Sequence, residues 1–198
     1  ATIPDAVRWI AAIQAEPRKG TTLTAGTLYL GGLQTHAPFI LMDQLVSPRL
    51  GVQLGYFRTA RTLAGAQDLA GHILRMGLTY KRQFGPVTVD DRLLYEAVLN
   101  DQDRTDYRRL RNRLCVTYAI APGSSLEPRL FGFIEPVIND RVVGSSRTDF
   151  AMGLGVTLAK SWRIDVHGLQ QRSYGQPRLN AIVIQLVIRL HNREGSPS

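Results

Sequence analysis

From about Thr21 onward, apolar and polar residues alternate with a period of two, and this pattern constrains the fold more than any other feature of the chain. In the stretch "TDFAMGLGVTLAKS", Phe150, Met152, Leu154, Val156 and Leu158 fall on one face, and Asp149, Ala151, Gly153, Gly155 and Thr157 on the other. In "YRRLRNRLCVTYAI", Leu110, Leu114, Val116, Tyr118 and Ile120 oppose Arg109, Arg111, Arg113, Cys115 and Thr117. In "HILRMGLTYKR", Leu74, Met76, Leu78 and Tyr80 oppose Arg75, Gly77, Thr79 and Lys81. Successive side chains of a strand point to opposite faces, so each segment must meet two different environments.

Turn residues divide the chain into about ten strands, near 22–33, 38–46, 50–59, 70–82, 87–99, 107–120, 126–137, 147–159, 162–172 and 178–190. The connections alternate in length. "SPR", "FGP", "APGSS" and "KS" are tight, whereas those near 59–69, 100–105 and 138–146 are longer. Short turns at one end and longer loops at the other are the habit of outer-membrane barrels. The expected fold is therefore all-β, a closed antiparallel transmembrane β-barrel of about 10 strands (8 to 12). An even count would bring both ends of the barrel chain to the short-turn side.

Composition narrows the alternatives. A hydrophobic content of 44% with a mean hydropathy of −0.09 suits a soluble protein and equally a membrane barrel, whose apolar residues are diluted by an alternating polar set. The longest apolar run, "AIVIQLVIRL", falls well short of the roughly 18 residues a spanning helix needs. With one cysteine, Cys115, the chain can form neither an internal disulfide nor a cysteine-built zinc site. The start carries no basic-plus-apolar signal segment, which fits a cytoplasmic chain or a mature one whose signal was removed. The net charge of +8 raises nucleic acid as a partner. The arginines are instead spread through many alternating segments with acids in matching positions, so no nucleic-acid partner is expected.

Alternation alone does not tell inside from outside, since a soluble lipid-binding barrel uses the same period with its apolar set turned inward. Aromatic placement favours the membrane orientation. Tyr80, Tyr118 and Trp162 all fall on apolar faces beside tight turns, where an interfacial girdle belongs. The opposite face then lines the lumen, with Arg75, Arg92, Arg109, Arg111, Arg113, Arg129, Arg147, Arg163 and Arg189 facing Asp90, Glu96, Glu127, Glu135, Asp149 and Asp165 as partners. Of these, Arg75, Arg92, Glu96, Arg109, Arg111, Arg113, Arg129, Glu135, Asp149 and Arg163 form the expected charge network. Polar residues on the apolar faces, His72, Arg58, Arg108, Gln170, Arg172, Arg178 and Asn180, cluster near the long-loop end. There Arg58, Arg108 and Arg178 are candidate contacts for lipopolysaccharide phosphates. Asp91 and Asn112 do not fit their faces, and a bulge near Asp90 and Asp91 would accommodate the first.

The first twenty residues read differently. In "TIPDAVRWIAAIQAEP", Pro4 and Asp5 suit a helix start, and Ile3, Val7, Ile10 and Ile13 have the spacing of one apolar stripe. The reading is a short N-terminal amphipathic helix or periplasmic segment over 1–20, able to lie on a leaflet, plug the barrel or bind a protein partner. The barrel then occupies 21–190 and a disordered tail 191–198.

The segment "DDRLLYEAVLND…DYRRLRNRLCVTYAIAP…EPRLFGFIEPVIND…SRTDFAMGLGVTLAKSWRIDVHGLQQRS" resembles a family of proteobacterial outer-membrane barrels catalogued as domain of unknown function 2490. The likeness spans roughly residues 46–190. It rests on an acidic strand with "RLLYE", an arginine-alternating strand, a strand ending in glutamate near aromatics, and an "R…GLGV" strand. The resemblance implies an outer-membrane barrel and carries over no catalytic or binding residue.

The expected role is that of an integral outer-membrane protein with an arginine-rich, largely filled lumen, structural or partner-binding, whose surroundings are outer-membrane lipid and lipopolysaccharide. A narrow anion-preferring pore is the first alternative, since surplus arginine attracts anions. A lipid-modifying enzyme is the second. Only His167 of the four histidines faces inward, beside Asp165, but no serine stands near it and no helix-borne metal motif is present. "GLGVTLAKS" lacks the glycine before lysine of a phosphate loop. No catalytic residue, cofactor or metal is therefore assigned.

Overall fold

The computed structural model describes residues 6–30, 35–61, 69–101, 106–140, 147–158, 161–173 and 178–190. Eleven strands and no helix are present among them: β1 (Ala6–Arg18), β2 (Thr21–Leu30), β3 (Thr35–Leu45), β4 (Leu50–Arg61), β5 (Leu69–Phe84), β6 (Val87–Asn100), β7 (Tyr107–Ala119), β8 (Arg129–Asn139), β9 (Arg147–Leu158), β10 (Trp162–Ser173) and β11 (Leu179–Leu190). Each strand pairs with its sequence neighbours, and β1 closes the barrel on β11. All ten expected strands are found, with ends shifted by a few residues. One shift moves an expected site residue, since β8 starts at Arg129. Glu127, expected in the lumen, instead lies in the 120–128 connection with a positive φ of 33°, its N–H bonded to Ser124.

The N-terminal segment corrects the expected helix. Residues 6–18 form a wall strand with Val7, Trp9 and Ile13 outside and Arg8, Ile10, Ala12 and Gln14 turned in. Ile10 and Ala12 are apolar although they face the lumen, where Ile10 packs on the cluster of Leu169, Ala181 and Val183. Apolar residues on both faces blur the period of two and imitate a helical stripe. A strand at this place pairs with both β2 and β11 and so becomes part of the closed wall. Pro17 sits where the register shifts between Ala15 and Arg18, a position that tolerates a missing donor. The expected tail at 191–198 and residues 1–5 lie outside the described residues.

An odd count in an up-and-down barrel forces one parallel pair, and β1 and β11 supply it, in register from Ala6↔Ala181 to Ala15↔Leu190. The barrel chain therefore enters at the long-loop end at Ala6 and leaves at the short-turn end at Leu190, rather than having both ends on the short-turn side. Without β1, β2 and β11 would face each other antiparallel, so the seam strand is an insertion into the ten-strand plan. Engineered cysteines at Ala12 and Val187, which are register partners, should form a disulfide on oxidation in a Cys115→Ser background. A mobility shift on a non-reducing gel reads it out, and failure to cross-link would remove β1 from the wall.

Following the register once around displaces the chain by about 14 residues, which for eleven strands implies a tilt near 40° and a backbone radius of roughly 11 Å. Long side chains from opposite walls can meet near the axis of such a barrel. Leu54, Leu74, Met76, Leu78, Met152 and Leu154 all point outward, and Met152 is 71% exposed. Glu96 and Glu135 are fully buried inside. The molecule is inverted relative to a water-soluble barrel.

Candidate functional site

Alternation on β5 to β10 turns one arginine-rich face inward, and adjacency of the strands then brings the charges together. Arg75 on β5 faces Glu96 on β6, its register partner, at 2.5 Å. Glu96 also receives Arg109 and, at 3.2 Å, Arg111, both from β7. Arg111 continues to Glu135 on β8, which Arg113 also reaches. One chain of ion pairs thus runs over four strands. A second centre is Asp165 on β10, bound by Arg129 of β8 and lying 3.2 Å from Arg163. A third is Asp149 on β9, 3.0 Å from Arg147 and accepting from Gln171 at 3.1 Å. Gln171 in turn accepts from Arg8 at 2.6 Å, which links the seam strand to the network.

Of the ten residues expected to form the network, nine take part in these contacts, and Arg92 stands apart. Its Nη2 lies 3.8 Å from Asp90, beyond hydrogen-bond length, and its Nε has no partner. Aromatic rings complete the packing, with Arg75 over Phe57 and Arg113 over Phe133, each 4.3 Å from the ring centre. The inward glycines of "GLGV" have a steric purpose. A Cβ at Gly155 would collide with Asp165 Oδ1 and the Arg129 guanidinium, and one at Gly153 with His167.

His167 faces inward as expected, and it is not hydrogen-bonded to Asp165, which is occupied by two arginines. The imidazole stands edge-on between Phe131 and Phe133, at 5.5 and 5.9 Å, and its buried Nδ1 has no hydrogen-bond partner. Among the described residues no cluster of three or more potential metal ligands occurs. Arg8, Gln171, Gln53 and Asp43 belong to the lumen too. Gln53 is almost fully buried and donates to Asp43 at 2.7 Å, and the signal for such neutral members was only their place in the alternation.

On the outside, Tyr80, Tyr118 and Trp162 lie at the short-turn end with 41 to 46% exposure. A second aromatic row, which sequence reasoning missed, runs near the long-loop end through Trp9, Tyr29, Tyr56 and Tyr95. Trp9 and Tyr29 stack across β1 and β2 with ring centres 5.4 Å apart. On β6 and β7, Tyr95 lies opposite Leu110 and Tyr118 opposite Val87, so the rows are separated by roughly 20 Å along the axis.

The polar exceptions on the outer face pair with one another. Arg172 donates to Gln170 at 2.8 Å and Gln170 to Asn180 at 3.2 Å. His72 bonds Tyr56 Oη at 2.6 Å and lies 3.4 Å from Asp101, which is also 3.8 Å from Arg58. Arg58, Arg108 and Arg178 are exposed but sit on β4, on β7 and just before β11, so they form no single cluster. Asp91 needs no bulge. The β6–β7 register is unbroken there, and Asn112 donates to Asp91 at 2.8 Å, so each of the two misplaced residues answers for the other.

Fold and site together define a closed β-barrel with an apolar exterior between two aromatic rows and a cross-strand arginine–carboxylate network inside. Comparison with family models, with curated proteins and with solved structures finds no match to this chain.

Proposed function

We propose that this chain is an integral outer-membrane β-barrel whose lumen is closed by its own ion-pair network, and that its role is structural or partner-binding. One observation carries the reading: the chain buries Glu96 and Glu135 completely while leaving a continuous band of leucine and methionine outside. A surface of that kind in water is an aggregation site, whereas acyl chains solvate it at no cost. The two aromatic rows and the short-and-long alternation of connections support the same orientation, as does the resemblance to the proteobacterial barrels. The exposed Arg58, Arg108 and Arg178 at the long-loop end would meet lipopolysaccharide phosphates around the rim rather than at one spot.

The odd strand number departs from the even counts of bacterial single-chain barrels, although an odd barrel exists in the mitochondrial outer membrane. The apolar clusters of Phe57, Ile73 and Val98 and of Leu169, Ala181 and Val183 also occupy the lumen. They favour a plugged barrel over the narrow anion-preferring pore. Folded protein in detergent should migrate faster before boiling than after, and in planar bilayers it should give no steady current. A sustained anion-selective conductance would replace this reading with the pore.

A further inference from the structure

β5 outruns its neighbour. β4 begins at Leu50, opposite Tyr80, while β5 continues to Phe84, so the β5–β6 hairpin overhangs the turn at 46–49. One backbone bond, from Lys81 N–H to the Arg49 carbonyl at 2.8 Å, ties the two. Beneath the overhang is a cavity of about 710 Å³ at the short-turn mouth. That volume falls within the ordinary range of small-molecule sites.

The lining is strongly biased in charge. Arg49, Lys81, Arg82 and Arg92 line it, against one lining carboxylate, Asp43, and a second carboxylate behind it, Asp90, the register partner of Lys81. Arg82 lies over the Phe84 ring at 4.6 Å, which holds the guanidinium at the rim. Arg92 is the least exposed of the four cations and has no carboxylate closer than Asp90 at 3.8 Å. Arg113 and Arg163 lie close enough behind it for their charges to act across the lumen, and Arg189 acts on Arg163 in the same way. The Nε of Arg189 likewise has no partner, while Asp165 is already shared by two arginines. The positive surplus of the lumen is therefore concentrated behind this mouth.

We propose that the cavity binds a phosphate group, with Arg92 and Lys81 as its principal ligands. The cations approach from the 46–49 turn, from β5 and from β6, which suits a tetrahedral anion offering oxygens in several directions better than a planar carboxylate. Leu45, Val52 and Phe84 provide an apolar wall for the carbon portion of the same ligand. The phosphate belongs to either an anionic lipid headgroup or a soluble organic phosphate.

The test uses the folded full chain in nonionic detergent and phosphate-free buffer, with two probes. Glycerol 3-phosphate is titrated calorimetrically, and retention of phosphatidylglycerol against phosphatidylcholine is measured by native mass spectrometry. Arg92→Gln combined with Lys81→Gln should weaken the bound probe by roughly 10-fold or more, while Arg92→Lys retains most binding. Arg172→Gln, at the opposite end, should match wild type. Selective retention of the lipid alone assigns the headgroup, and binding of glycerol 3-phosphate assigns a soluble ester. Folding is verified for every variant by heat-modifiable migration, and Lys81→Gln alone, at an exposed position, replaces the double variant if that does not fold. If neither probe binds, or if both bind wild type and the Lys81 variants equally, the proposal is overturned.

Discussion

Glu96→Gln is expected to destabilise the folded barrel by about 3–5 kcal/mol, the usual cost of removing one member of a buried charge cluster. The side chain is fully buried and takes Arg75, Arg109 and Arg111. Glutamine preserves the shape and leaves three guanidinium groups facing one another with one carboxylate fewer. Arg111 retains Glu135, so the loss falls chiefly on Arg75 and Arg109. Denaturant unfolding in detergent measures the change. A loss below about 1 kcal/mol would mean that water screens the cluster, as in an open lumen, and would count against the closed barrel.

Met152→Lys tests the other face. Met152 is 71% exposed, its register partners are Gly132 and Gly168, and it lies between the levels of the two aromatic rows. At the centre of a bilayer a lysine on the outer face costs about 2–4 kcal/mol. The same change on a water-facing surface lies within about 0.5 kcal/mol of zero. Unfolding of the barrel from lipid vesicles should therefore show the large loss, and a neutral result in vesicles would remove the membrane orientation. Met152 points outward and Glu96 inward, so the two variants report on separate faces.

Most of the barrel is legible in the sequence. Arg109, Arg111 and Arg113 stand at alternate positions with Leu110 and Leu114 outside the same strand, and a period of two leaves no choice about which residues share a face. The inward set from Arg75 to Arg163 was legible for that reason. The partners within it were less so. That Glu96 would gather three arginines while Arg92 would keep only a distant Asp90 depends on register, which periodicity does not carry. Asn112 and Asp91 show the same limit, since each looks misplaced on its own strand and the bond between them exists only once β6 and β7 are aligned.

The N-terminal strand marks where local pattern misleads. Ile10 and Ala12 are apolar and face inward because an apolar cluster occupies that part of the lumen, so the middle of β1 is apolar on both faces and resembles a helix stripe. By itself the sequence determined that the chain is built of alternating strands with two incompatible faces, because side-chain direction in a strand is a property of each residue's own place in line. Only the tertiary structure decided the strand count, the parallel seam, the sharing of carboxylates and the basic cavity under the β5–β6 overhang. Those follow from how strands far apart in the chain are aligned, and alignment is set by the closing of the whole barrel.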